Sequence, residues 1–169
     1  RRWQEGRAGA NCSLCSMMAS VPNIDIGFTK FHTPPFQRGS MSKRIFVNFV
    51  SDPNNDPMKT IVGLACASRA VADGHDVNVF FAAAGVRLLE ASYIEGLEAE
   101  LDSPEPMVRP MMDALVAGAT LHCSFGSLKA VLGISEGDGA LLVADDQITW
   151  SGPPGVIALS TASDVQLMY

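Results

Sequence analysis

Two hydrophobic periods alternate along this chain from residue 43 onward. Residues 44–50, Arg-Ile-Phe-Val-Asn-Phe-Val, are rich in β-branched and aromatic types and read as a buried strand. The polar cluster 51–57 is a turn. Within it, Asp56 followed by Pro57 supplies an acidic N-cap and a proline at the first helical position. The pattern predicts a helix over 57–73. Its small residues (Gly63, Ala65, Cys66, Ala67, Ser68, Ala70) suit close packing on a sheet, and Gly74 ends it. A second strand is predicted at 77–81. Broken helical character follows over 85–101, and Pro104, Pro106 and Pro110 frame the start of a helix at 107–117 that stops at Gly118. The third strand is 120–123, followed by a short helix at 127–132 closed by Gly133. A fourth strand at 147–150, a helix from Gly152-Pro153-Pro154-Gly155 to about Ala162, and a last strand at 165–168 complete the series.

Strands that alternate with helices imply an α/β fold with a parallel sheet covered on both faces. In such sheets a reacting group or ligand lies beyond the carboxyl ends of the strands. Two features fall on that edge: the loop 52–56 after the first strand, and Cys123 after the third.

The first forty residues read differently. They show neither sustained period, and Pro34-Pro35 and Gly39-Ser40 punctuate their end. Five basic and two acidic residues give them a charge of +3, which leaves −9 of the overall −6 on residues 41–169. The expectation is that residues 1–40 are a leader or upstream translated sequence outside the fold, and that a single domain occupies 41–169. Cys12-Ser13-Leu14-Cys15 within them is a C-x-x-C pair, a redox or zinc pattern. It follows no strand, and only His32 lies nearby as a further ligand for a four-ligand zinc site.

The composition, 47% hydrophobic and 18% charged over 169 residues, is that of a folded domain. No apolar run approaches the ~18–20 residues of a membrane helix. The acidic balance argues against a nucleic-acid or anionic-membrane surface. Four irregularly spaced cysteines do not resemble a secreted disulfide scaffold, so a reducing cytoplasm is the expected location.

Cys123 carries the main chemical expectation. A cysteine at the end of a strand, facing the first turn of a helix near Ser124-Phe125-Gly126, meets unpaired N–H groups and the positive end of a helix dipole. Those favour the thiolate, the reactive form. The alternative is a small, inert, buried hydrophobe. His122 is adjacent, but neighbours on a strand point to opposite faces, which disfavours a Cys–His pair. His75 reads as a solvated turn residue, Cys66 as a packing residue, and the acidic stretch 90–105 as a solvated face rather than a cation site. Dinucleotide, P-loop, serine-elbow and H-E-x-x-H motifs are all absent.

Three stretches resemble the DsrE/DsrF-like family of sulfur-relay proteins. The first runs Ala70-Val71-Ala72-Asp73-Gly74-His75-Asp76-Val77 and on through Val79-Phe80-Phe81 to Gly85-Val86. The second is Gly118-Ala119-Thr120-Leu121-His122-Cys123. The third is Trp150-Ser151-Gly152 with 162–168. The resemblance implies a three-layer α/β sandwich, flavodoxin-like in form, with a five-stranded parallel sheet between helices. It also implies assembly into homo- or hetero-oligomers, trimers or hexamers. In family members that transfer sulfur, a cysteine after the third strand carries a persulfide, and Cys123 matches that position. The reading that follows is a sulfur carrier or sulfurtransferase subunit that exchanges sulfane sulfur with donor and acceptor proteins and uses no metal or organic cofactor. Its alternatives are a non-catalytic assembly subunit of the same fold and a small-ligand domain built on the 52–56 loop.

Overall fold

Strand-forming runs and helix caps place the elements of this protein close to their expected bounds. The computed structural model describes residues 41–101 and 105–169. The expected leader and its Cys12–Cys15 pair lie outside the described residues. The strands are β1 (Arg44–Phe49), β2 (Asp76–Phe81), β3 (Thr120–Ser124), β4 (Ile148–Ser151) and β5 (Val165–Met168). The α-helices are α1 (Pro57–Ala72), α2 (Ala91–Glu100), α3 (Val108–Gly118), α4 (Phe125–Leu132) and α5 (Pro153–Ala162). All five strands join one parallel sheet in the order β4-β3-β2-β1-β5. The broken helical stretch resolves into a 3₁₀ segment, Ala83–Leu89, followed by α2.

Local chemistry sets the helix limits. The Asp56 carboxylate accepts the Lys59 N–H at 2.9 Å, with Pro57 at the first helical position. At the other end Gly74, at φ +82, lets its own N–H reach Val71 O and the His75 N–H reach Ala70 O, a Schellman closure. Helix α3 is capped from outside its own segment. The Glu98 carboxylate on α2 accepts the N–H groups of Met107, Val108 and Arg109. Desolvation pushes the Glu98 pKa up, but these three N–H donors together outweigh it, and the net shift is downward. One member of the expected solvated acidic face is therefore a helix cap.

The sheet has two unlike faces. Val47, Val79, Leu121 and Cys123 point to the side covered by α1 and α3, where the main hydrophobic core sits. The alternate positions, including Asn48, Asn78, His122 and Ser124, face the other side. There α5 is the covering helix, packed on β1 and β4. Gly85 begins the approach of the 3₁₀ segment to the end of β1, where the Ala82 N–H donates to Phe49 O at 2.9 Å. A Cβ at Gly85 would overlap the backbone carbonyl of Phe49, which has no rotamer by which to yield.

Gly85→Ala is expected to destabilise the protein by about 1–3 kcal/mol through forced backbone displacement, read as a lower midpoint in urea unfolding. Glu98→Gln is expected to cost about 1–2 kcal/mol, the size of a lost cap. Because the folded Glu98 pKa is depressed, the carboxylate's contribution is complete above its unfolded value of about 4.3 and fades as pH falls through the lower folded value. Urea midpoints of the two proteins should therefore differ at neutral pH and converge in acid. Parallel curves across that range would remove the cap from the account.

Candidate functional site

The carboxyl edge of the sheet is where β1, β2 and β3 end and where α4 and α5 begin. At this edge β3 extends one residue beyond its expected end. Ser124 is its last residue and also the N-cap of α4. The Ser124 oxygen accepts the Ser127 N–H at 3.3 Å and the Ser127 hydroxyl at 3.0 Å. Ser127 Oγ in turn accepts the N–H of Ala83 at 2.9 Å. That bond holds Ala83 at φ +47, a left-handed backbone that a non-glycine residue adopts only at a cost. Side chains from α4 thus fix the loop after β2.

The extension of β3 to Ser124 sets the place of Cys123. The sequence left two readings of the thiol: ionised and reachable at the helix start, or small, inert and buried. The structure puts it inside β3, on the face packed by the main core, fully buried at 0% exposure. Its Sγ lies 3.8 Å from the Ser124 carbonyl oxygen, and burial pushes its pKa up to about 12. At neutral pH the group is a thiol. The junction residue that does reach solvent is Phe125, 55% exposed, at the first position of α4. Alternation along β3 sets the two sides: Leu121 and Cys123 share one face, His122 and Ser124 the other.

His122 is buried on the α5 side. Its ring stacks on Phe80, and its Nε2–H donates to Asn78 Oδ1 at 3.2 Å. Burial lowers its pKa, so it is neutral at pH 7. Cys123 and His122 are not brought together, as strand alternation required. His75 accepts the Lys43 N–H through Nδ1 at 3.3 Å and so ties the start of β1 to the end of α1. Cys66 departs from its expected packing role: it is exposed on α1, beside Tyr169.

The loop 52–56 is occupied with its own structure. Asp52 Oδ1 accepts both nitrogens of Asn54, at 3.0 and 3.1 Å, and Asp56 caps α1. Among the described residues no group of three or more His, Cys, Asp or Glu side chains converges as a metal site would require. No helix among them is long and apolar enough to cross a membrane.

A cleft of about 350 Å³ opens at this edge on the α5 side, with Asn48, Phe80, Ser124, Ser127, Val156 and Ile157 among its lining. Asn48 is 5% exposed, and its Oδ1 is buried without a hydrogen-bond partner. Sequence reasoning passed over it as one residue in an apolar strand. The available signal was its type: asparagine is depleted in strands, and this one interrupts a β-branched and aromatic run.

No family model matches the chain, and no curated protein matches it. Among solved structures it is similar to the crystal structure of the ychN protein from E. coli. The two share a TM-score of 0.53 and 15% sequence identity over 76% of this chain and 100% of that one. The likeness is one of fold: a five-stranded parallel sheet flanked by helices, as the family resemblance implied.

Native-state alkylation is expected to modify Cys66 and to spare Cys123 until denaturant is added, as read by peptide mapping. Labelling of Cys123 in the folded protein at a rate like that of Cys66 would restore an accessible thiol at this edge.

Proposed function

We propose that this protein is a non-catalytic assembly subunit of DsrE-like fold, built to associate with further copies of itself. Helix α5 carries the proposal. Its sequence, Pro-Pro-Gly-Val-Ile-Ala-Leu-Ser-Thr-Ala, holds no charged residue, and none of its residues is buried within the chain. Ile157 is 63% exposed. On the same face of the sheet, the edge strand β5 exposes Met168 at 67%, level with Asn48. A surface helix that is uncharged and mostly apolar, with Ile157 and Ala158 exposed, is expected to be covered by something. A second copy suits it because two uncharged faces can meet across a two-fold axis with no charge to desolvate. The two described cysteines are free thiols, which supports a reducing cytoplasm as the setting.

The sealed position of Cys123 favours this reading over a persulfide carrier. Sulfane transfer needs an attacking thiolate and a route for a partner's sulfur. A neutral, fully buried thiol offers neither in the folded state.

Sedimentation velocity of the full chain is expected to show a species larger than the monomer. Ala158→Glu, which places a charge on the exposed side of α5, should shift it to monomer while the far-ultraviolet circular dichroism stays unchanged. A monomeric wild type would overturn the assembly reading. So would loading of one sulfur onto Cys123 by a sulfane donor without unfolding, which would return the carrier role to that residue.

A further inference from the structure

In the carboxyl-edge cleft one polar atom lacks a partner and one hydroxyl hydrogen is left over to donate. Asn48 Oδ1 is an acceptor, buried and unpaired, in a side chain that is 95% removed from solvent. Buried polar atoms are nearly always satisfied, and an orphan needs a reason. The second group lies in the serine pair. Ser124 and Ser127 carry two hydroxyl hydrogens and share one hydrogen bond between their oxygens. Their other contacts, the N–H groups of Ser127 and Ala83, are donors to those oxygens and consume no hydroxyl hydrogen. One O–H of the pair therefore remains to donate, whichever way the shared bond runs.

The rest of the lining narrows the chemistry. No charged residue lines the cleft, so it offers no counter-ion to an anion or a cation. The start of α5 is a poor anion site as well. Pro153 and Pro154 remove two N–H groups from its first turn, and Gly155 and Val156 donate theirs to Gly152 O. Phe80, Val156 and Ile157 supply an apolar wall.

We propose that this cleft binds a small neutral molecule bearing a carboxamide on an apolar body. The amide N–H donates to Asn48 Oδ1, the amide carbonyl accepts from the free serine hydroxyl, and the body lies against Phe80 and Val156. One planar group thereby meets both the unpaired Asn48 acceptor and the spare serine hydrogen, which neither a carboxylate nor an amidinium can do. A carboxylate would set oxygen against oxygen at Asn48, and an amidinium has no acceptor for the serine. The cleft shares Ile157 with the α5 surface proposed for self-assembly, so the test below includes the Ala158→Glu protein.

Three probes of one shape separate the cases: benzamide, benzoate and benzamidinium, each titrated into isotope-labelled full-length protein and followed by backbone amide shifts. Benzamide is expected to move the resonances of Asn48, Ser124 and Val156 saturably. The two charged analogues should bind about tenfold or more weakly, the cost of one unpaired buried group. Asn48→Leu should lose benzamide binding by a similar factor and yet melt no lower than the wild type, because it removes an unsatisfied polar atom. Equal shifts from all three probes, no shifts from any, or undiminished benzamide binding by Asn48→Leu would each overturn the proposal. Benzamide binding confined to the Ala158→Glu protein would assign the cleft to subunit packing and overturn it too.

Discussion

Alternation along a paired strand is the constraint on which this site depends. β3 is hydrogen-bonded between β2 and β4, with Cys123 level with Phe81 on one side and Trp150 on the other. That register gives no freedom to rotate the strand. Leu121 and Cys123 must enter the main core, and His122 and Ser124 must face α5. The most reactive residue type in the chain is thereby spent on packing, while a serine takes the position from which a helix starts.

The two faces of the sheet carry different work. One holds a thick apolar layer under α1, α2 and α3, with Phe49 and Phe81 stacked at 5.7 Å between ring centroids. The other mixes Phe46 and Phe80 with asparagine, histidine, serine and threonine, and has α5 for cover. His122 is paired with Asn78 there, while Asn48, nearer the carboxyl edge and no less buried, keeps its Oδ1 unpaired. Gly155 marks how closely α5 lies on this face: a Cβ there would collide with the Ser151 side chain. The same helix presents its outer side uncharged and apolar. One face therefore supplies both a site-forming cleft and an associating surface, while the other supplies stability.

Much of the fold was legible because its signals are local. Asp56-Pro57, Gly74 and Gly133 bound their helices by capping chemistry that acts within a turn, and each does so in the structure. The apolar runs at β1 and β2 needed no partner to be recognised. The start of α4 was less legible. The sequence put a first turn near Ser124-Phe125-Gly126 but a regular helical pattern only from Ser127, and the Ser124 hydroxyl caps the helix, which begins at Phe125. Glu98 was illegible as a cap, because its partners at Met107, Val108 and Arg109 lie across an inter-helix connection.

The sequence by itself determined the order of strands and helices, the parallel α/β class and the glycine and proline stops, because each follows from periodicity and from backbone chemistry within a few residues. It also placed Cys123 and His122 on opposite faces of one strand, since alternation is a local property. Only the tertiary structure decided which of those faces would be sealed, because burial is set by α1, α3 and α5 packing from distant parts of the chain. The same distant packing gathered Asn48, Ser124 and Ser127 at one cleft. Those residues lie up to 79 positions apart and share no pattern that a reading along the chain could join.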